Sequence, residues 1–183
     1  MSAALKLDKK YTYADLQNWP EDERWELIDG VPHAMAAPST KHQRISRNLN
    51  WALHDYLKDK ECEVFAAPFD VRLNADEADD TIVQPDLVII CDPNKIDDKG
   101  CQGPPDLVIE ILSPSNFGRD TKIKLQKYCE ANVREILFIH PDDKDVQTFV
   151  LTDGNYSINL YNADDIVPIS ILPGFGIDLK DIF

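Results

Sequence analysis

Two carboxylates in this chain stand where carboxylates are expensive. Glu110 interrupts the aliphatic run Leu107-Val108-Ile109-Glu110-Ile111-Leu112, and Asp86 follows Pro85 at the head of a second run, Leu87-Val88-Ile89-Ile90. An ionised carboxylate is very costly to bury alone, so a chain that keeps one there pairs it with a cation, a metal or a hydrogen-bond network. If the two strands pair, Asp86 and Glu110 converge at one edge of a sheet. Two hard oxygen ligands so placed suit Mg2+ or Mn2+, which keeps several waters for a phosphate substrate. A cation held there activates water and stabilises charge on a scissile phosphate. The competing reading is structural: Asp86 caps a turn after Pro85, and Glu110 pairs with an arginine or lysine.

Three further residues bear on the same chemistry. Lys124 lies one helical turn before Tyr128, beside Leu125, so it borders the side of a helix that packs on the sheet. Its long stem can carry the ammonium to the carboxylate edge, to orient water or stabilise a developing phosphorane. The competing reading is a solvated helix lysine, as Lys122 and Lys127 are read. Glu26 sits in the otherwise apolar Trp25-Glu26-Leu27-Ile28 and repeats the Glu110 puzzle, as a further metal ligand or an acid that positions water. His42 falls in the first turn of a helix, in register with Ile45, Leu49 and Ala52, so it points inward as a catalytic group or as a capping or core histidine. Asp106 forms a second Pro-Asp pair with Pro105, but four strand residues separate it from Glu110 by about 13 Å, too far to share one metal.

The elements that must position these groups are readable in outline. Thr12 caps a short helix to about Asn18, and Pro20 ends it. Asp29-Gly30 marks a hairpin within residues 24–31. A helix runs from about Lys41 to Lys58 with its apolar positions at helical spacing. Strands follow at about Glu63–Leu73, Val83–Ile90 and Leu107–Leu112, with an acidic loop at 76–80 and a polar loop at 92–100 between them. A break at 113–118 precedes a helix over Arg119–Ala131 and a buried strand, Glu135–His140. Strands near Thr148–Leu151 and Tyr156–Tyr161 flank Asp153-Gly154-Asn155. Apolar runs without alternation predict a sheet covered on both faces. The expected fold is therefore α/β (α+β), a central mixed sheet flanked by helices, with an N-terminal hairpin and C-terminal strands. Residues 1–183 are read as one domain, with 1–10 a loose lead-in.

The net charge of −14 argues against loose, charge-driven binding of nucleic acid. Distribution matters more than the total, however. Lys41, Arg44, Arg47, Lys58 and Lys60 lie on or beside the first long helix, and Arg119, Lys122, Lys124 and Lys127 lie on the second. These are nine of the 19 basic residues, so a local phosphate-binding face survives. The four cysteines are widely spaced with no C-x-x-C pair, which reads as free thiols in a reducing cytoplasm rather than a zinc site. No apolar run approaches the ~20 residues of a membrane helix, and no secretory h-region precedes the first helix. A cytoplasmic protein without membrane contact is expected.

Pro85-Asp86 followed by an acid in the next strand resembles the PD-(D/E)XK nuclease superfamily, although Leu112 stands where that motif has its lysine. The wider chain resembles the Uma-type family of restriction endonucleases within that superfamily. The residues that carry the resemblance are Glu26-Leu27-Ile28-Asp29-Gly30, Pro38-Ser39 with His42, Pro85-Asp86, Glu110 to Ser115, Asp120 with Lys124 and Tyr128, and Leu172-Pro173-Gly174-Phe175. It implies a restriction-endonuclease-like core and divalent-metal-dependent hydrolysis of DNA phosphodiester bonds, with Asp86 and Glu110 as metal ligands. It also implies that the lysine has migrated to the following helix, where Lys124 matches, and that the protein is a homodimer. The alternative is a catalytically silent nuclease fold acting as a dimeric binding or regulatory module, favoured by Leu112 and the acidic total. A serine or cysteine hydrolase is not supported, since Ser113 and Ser115 sit in no G-x-S-x-G elbow.

Overall fold

The structure, a computed structural model, describes residues 9–20, 22–75, 77–113 and 119–183, without the side chains of Arg119 and Asp120. Most of the expected lead-in, one residue of the acidic loop, and positions 114–118 of the expected break lie outside the described residues. The chain order is α1 (Tyr13–Leu16), β1 (Trp25–Ile28), β2 (Val31–Ala34), α2 (Thr40–Leu57), β3 (Glu63–Ala66), β4 (Asp70–Arg72), β5 (Ile82–Val83) and β6 (Leu87–Ile90). Then come β7 (Ile96–Asp97), β8 (Gly100–Gln102), β9 (Leu107–Ile111), α3 (Arg119–Glu130) and β10 (Glu135–His140). The chain closes with β11 (Asp145–Thr152), β12 (Asn155–Asn162), β13 (Ile166–Pro168), β14 (Gly176–Asp178) and α4 (Leu179–Ile182).

Instead of one central sheet there are two mixed six-stranded sheets, ordered β2-β1-β5-β4-β8-β7 and β12-β11-β10-β9-β6-β3, plus the β13-β14 pair. Two expected strands are broken to make this possible. Glu63–Leu73 divides around Pro68 into β3 and β4, and Val83–Ile90 divides around Pro85 into β5 and β6. Proline offers no ladder donor, so at each break the chain leaves one sheet for the other. The two breaks lie side by side, with the Ala67 N–H donating to the Asp86 carbonyl at 3.0 Å. The expected polar loop at 92–100 contains the short β7–β8 pairing, too brief to leave a period in the sequence.

The second sheet is covered on both faces, as its unalternating strands predict. Alternate residues Leu87, Ile89, Leu107, Ile109, Leu137 and Ile139 pack with Ile45, Leu49, Leu53 and Leu57 of α2. The opposite set, Val88, Ile90, Val108, Leu112, Ile136 and Phe138, packs with Tyr128 of α3. Ser39 starts α2 by accepting the His42 N–H on its hydroxyl at 3.2 Å. The β1–β2 turn has Asp29 and Gly30 both at positive φ, 50° and 72°, as a two-residue hairpin requires.

The cysteine expectation is corrected in part: Cys62 and Cys91 form a disulfide. The antiparallel β3–β6 register sets Glu63 opposite Ile90, and one step further brings Cys62 to Cys91. Register of that kind is invisible in cysteine spacing. Cys101 and Cys129 are free thiols. Among the described residues no helix is long and apolar enough to cross a membrane.

Candidate active site

The junction of the two sheets gathers the charged residues singled out above. β6 and β9 pair antiparallel with Leu87 opposite Ile109, so one step further puts Asp86 across from Glu110. Asp86 sits at the Pro85 break, where it is no longer bound into a ladder. Its Oδ2 accepts the Ile111 N–H at 2.7 Å, and the His42 Nε2 lies 3.1 Å from the same oxygen. Glu110 has the side-chain phase of Val108 and Leu112, which turns it toward α3. There its Oε1 accepts the Tyr128 hydroxyl at 2.5 Å and meets the Lys124 Nζ at 2.7 Å.

Glu26 arrives from the first sheet. Its Oε1 takes the Lys124 ammonium at 2.8 Å and the Gln84 N–H at 2.9 Å. Lys124 therefore bridges the two sheets through one cation held between two glutamates. Glu26 and Glu110 are 7% and 8% exposed, so these contacts lie mostly out of water, where charge interactions are strong.

The protonation states follow from the crowding. Burial pushes the Glu110 carboxyl up to about 7; Lys124 opposes this, while the nearby Asp86 and Glu26 charges add to it. Burial alone would lower the Lys124 ammonium's pKa, but Glu110 and Glu26 outweigh burial and hold it firmly charged. Burial also disfavours a charged His42; the Asp86 hydrogen bond and charge, with Glu110 behind them, outweigh it and raise the imidazole's pKa. Among the described residues the buried His42 Nδ1 has no hydrogen-bond partner.

All five sequence candidates, Glu26, His42, Asp86, Glu110 and Lys124, thus fall in one connected cluster. Asp106 stays apart as expected: it accepts the Cys91 N–H at 2.8 Å and pairs with Arg134 at 2.9 Å. Lys127 is not simply solvated, since it pairs with Asp29 and Glu130, each at 2.8 Å. Sequence reasoning missed two contributors. Tyr128 was placed on the Lys124 face, but its hydroxyl as a donor to Glu110 was not foreseen. Gln84 left no signal at all: its backbone holds Glu26, while its amide bridges Arg24 and Asp70 at 2.9 and 2.8 Å.

Among the described residues no group of three or more His, Cys, Asp or Glu side chains is gathered as a metal site. The donor chemistry nonetheless fits a hard divalent cation bound through one or two carboxylates and waters. Glu26 and Glu110 share Lys124, and Asp86 stands across from Glu110; with all three acids ionised and His42 neutral, the cluster carries an excess of two negative charges. Among the described residues the contacts to Glu110 fall on Oε1, leaving Oε2 for a further partner.

Known proteins share this architecture. A solved structure from Anabaena variabilis, titled a putative nuclease belonging to DUF820, superposes with a TM-score of 0.74 over 94% of this chain and 97% of its own, at 20% identity. The "Uncharacterized protein slr1290" of Synechocystis is 27% identical over 168 residues, 88% of this chain and 86% of that protein. A second Synechocystis protein, "Uncharacterized protein sll1609", is 31% identical over 108 residues, 58% of this chain and 59% of its own. The family profile described as "Uma2: Putative restriction endonuclease" matches residues 12–180, and the chain belongs to that family.

Proposed function

We propose that the protein is a divalent-metal-dependent endonuclease that hydrolyses DNA phosphodiester bonds at the Asp86–Glu110–Lys124 cluster. One observation carries the reading: an ammonium lies 2.7 and 2.8 Å from two buried carboxylates, and a third acid, Asp86, stands across from one of them at the head of the neighbouring strand. Asp86 and Glu110 would hold Mg2+ or Mn2+. The chemistry such a cation supplies when bound is stabilisation of charge on the phosphate and activation of water.

The chain's own groups do the rest. Lys124 reaches the site from α3 instead of β9, and its ammonium stabilises negative charge developing on the phosphate. Glu26 and Glu110 hold that ammonium in place, and Tyr128 fixes the Glu110 carboxylate. The Ile111 N–H and His42 orient Asp86, and the His42 imidazole stands ready to carry a proton at Nε2. The nuclease reading takes a homodimer as its working form. The exposed Ile158 and Leu160 on the outermost strand β12 support self-association.

Purified protein incubated with plasmid DNA and Mg2+ or Mn2+ tests the reading. Cleavage that EDTA stops is the expected result. Absence of cleavage, with metal binding equal in Asp86→Ala, Glu110→Ala and the parent, overturns it in favour of a silent, dimeric binding module.

A further inference from the structure

Helix α2 presents two faces of opposite character. Ile45, Leu49, Leu53 and Leu57 are buried, and His42 shares that inward side to reach Asp86. At 3.6 residues per turn, Arg44, Arg47 and Trp51 fall together on the opposite face. All three are exposed, and the Trp51 indole is 71% exposed.

The charge of this face runs against the rest of the chain. The protein has 33 acidic residues, yet none lies between Thr40 and His54. Among the described residues no carboxylate pairs with Arg44 or Arg47; the Arg47 guanidinium meets only the neighbouring Asn48 amide oxygen, at 2.8 and 3.1 Å. Lys41, at the start of the helix, pairs with Asp142 on the surface. Two guanidinium groups without acidic partners and one bare indole match a polyanion that also offers flat aromatic faces. Base stacking on an aromatic side chain beside cationic backbone contacts is how single-stranded nucleic acid is held without regard to sequence. A duplex supplies the phosphates but keeps its base faces covered.

The helix also begins at the cluster. His42 in the first turn touches Asp86, and Trp51 is nine residues on, about 13 Å along the axis. A strand leaving the cluster around the start of α2 meets Arg44, then Arg47, then Trp51.

We propose that the outer face of α2 is a single-strand track, on which Arg44 and Arg47 take successive phosphates and Trp51 stacks with an unpaired base. The proposal rests on the nuclease reading for the direction of the strand, and it narrows the substrate. The favoured DNA has a single-stranded segment beside the bond that is cut, as in a flap, a splayed end or a loop.

The test is a fluorescence-anisotropy titration in EDTA with a labelled single-stranded oligodeoxynucleotide and the matching duplex. It uses the full chain, Trp51→Ala and the Arg44→Ala/Arg47→Ala double variant. Trp51→Ala is expected to weaken single-strand binding about ten-fold or more and to leave duplex binding nearly unchanged. The double variant flattens the dependence of log K on log salt by about 1.4, roughly 0.7 for each lost phosphate contact. In the parent, single-strand binding quenches tryptophan emission, and Trp51→Ala loses most of that quenching. All three positions are solvent-exposed, so thermal melts of the variants should match the parent and exclude unfolding as the cause.

Equal affinities and salt slopes across the three proteins overturn the proposal. So does a Trp51→Ala protein that binds DNA normally but sediments in a different oligomeric state, which would assign this face to a second copy. The nuclease reading fails separately: a parent that binds single strands through Trp51 but never cuts with Mg2+ keeps the track and loses the enzyme. A parent that cuts, with KM unchanged in the track variants, does the reverse.

Discussion

Glu110 and Glu135 are two buried glutamates on adjacent strands of one sheet, and they solve the same problem in opposite ways. Glu135 is 0% exposed and opens β10; Glu110 is 8% exposed and lies within β9. The Glu135 carboxylate accepts the N–H groups of Ser170 and Ile171, each at 3.1 Å. It ties the C-terminal segment to the sheet with neutral donors. Burial raises the pKa of both acids, but Glu110 is held by a lysine and a tyrosine, and the Asp86 and Glu26 charges add to its rise. Burial of an acid is thus no sign of function on its own. What separates the two is company: peptide donors that complete one carboxylate, against charges that leave the other over-supplied and receptive.

Removing charge from each site should break the pair apart most widely. Lys124→Ala is expected to lower the DNA cleavage rate by about 10²–10³-fold, the usual effect of losing one preorganised group on a developing anion. It should also cost about 3 kcal/mol of stability, because Glu26 and Glu110 lose their shared cation in a buried site. Glu110→Gln should lose cleavage to a similar degree but keep or gain stability at pH 8, since it relieves an excess of negative charge. Single-turnover cleavage and urea melts on the same samples separate the two effects. A Lys124→Ala protein that cuts at the parental rate would return Lys124 to a structural ion pair.

The pH dependence sharpens the same contrast. The Glu110 carboxyl moves from an ordinary 4.5 to about 7 on folding. Its contribution to stability is therefore fully present below about pH 4.5 and is lost as pH rises through about 7, with an upper limit of about 3 kcal/mol. His42, also raised, works in the same direction. A divalent cation bound to the ionised carboxylate should offset the loss, so the Tm gained from Mg2+ is expected to be larger at pH 8 than at pH 5.5. Glu110→Gln should shrink that difference to the part set by His42 beside Asp86. A Tm gain equal at both pH values, or retained in Glu110→Gln, counts against Glu110 as a ligand.

Glu135→Ala is the converse experiment. It leaves the Ser170 and Ile171 N–H groups without their acceptor, at a cost of about 2 kcal/mol, while cleavage and the Mg2+ response stay parental. A change in cleavage would mean that the C-terminal segment, and not only the cluster, positions the site.

The sequence disclosed the cluster better than it disclosed the sheets. A single charge inside an aliphatic run is conspicuous, so Glu26 and Glu110 stood out, and Pro85 marked Asp86. Lys124 was placed by resemblance, and helical spacing supplied its direction. The β10 strand was read to its bounds because it is apolar, continuous and flanked by breaks. What stayed hidden depended on register or on meetings between distant segments. The Cys62–Cys91 disulfide needs the β3–β6 pairing, and Gln84 matters through a backbone N–H that any residue but proline would carry. The Tyr128 hydroxyl meets Glu110 across 18 residues of sequence. The division into two sheets followed from Pro68 and Pro85, whose presence was plain but whose consequence depends on where each neighbouring strand finds a partner.

The smallest expected effect tests how finely Glu110 is tuned. Tyr128→Phe removes only the hydroxyl that donates to Glu110 Oε1 at 2.5 Å. The ring keeps its packing against the sheet, so the stability cost is limited to about 1 kcal/mol for one buried hydrogen bond. The carboxylate would still be held by Lys124, but free to turn. Metal affinity, read by calorimetry, should fall roughly ten-fold, as for other groups that orient a ligand. Cleavage at saturating metal should stay close to parental. That split, with affinity lost and rate kept, makes Tyr128 a positioning residue. If rate falls while affinity holds, the hydroxyl acts on the phosphate itself. Loss of neither would mean that Lys124 alone sets the Glu110 carboxylate, and that the acid's second donor serves packing, as the donors to Glu135 do.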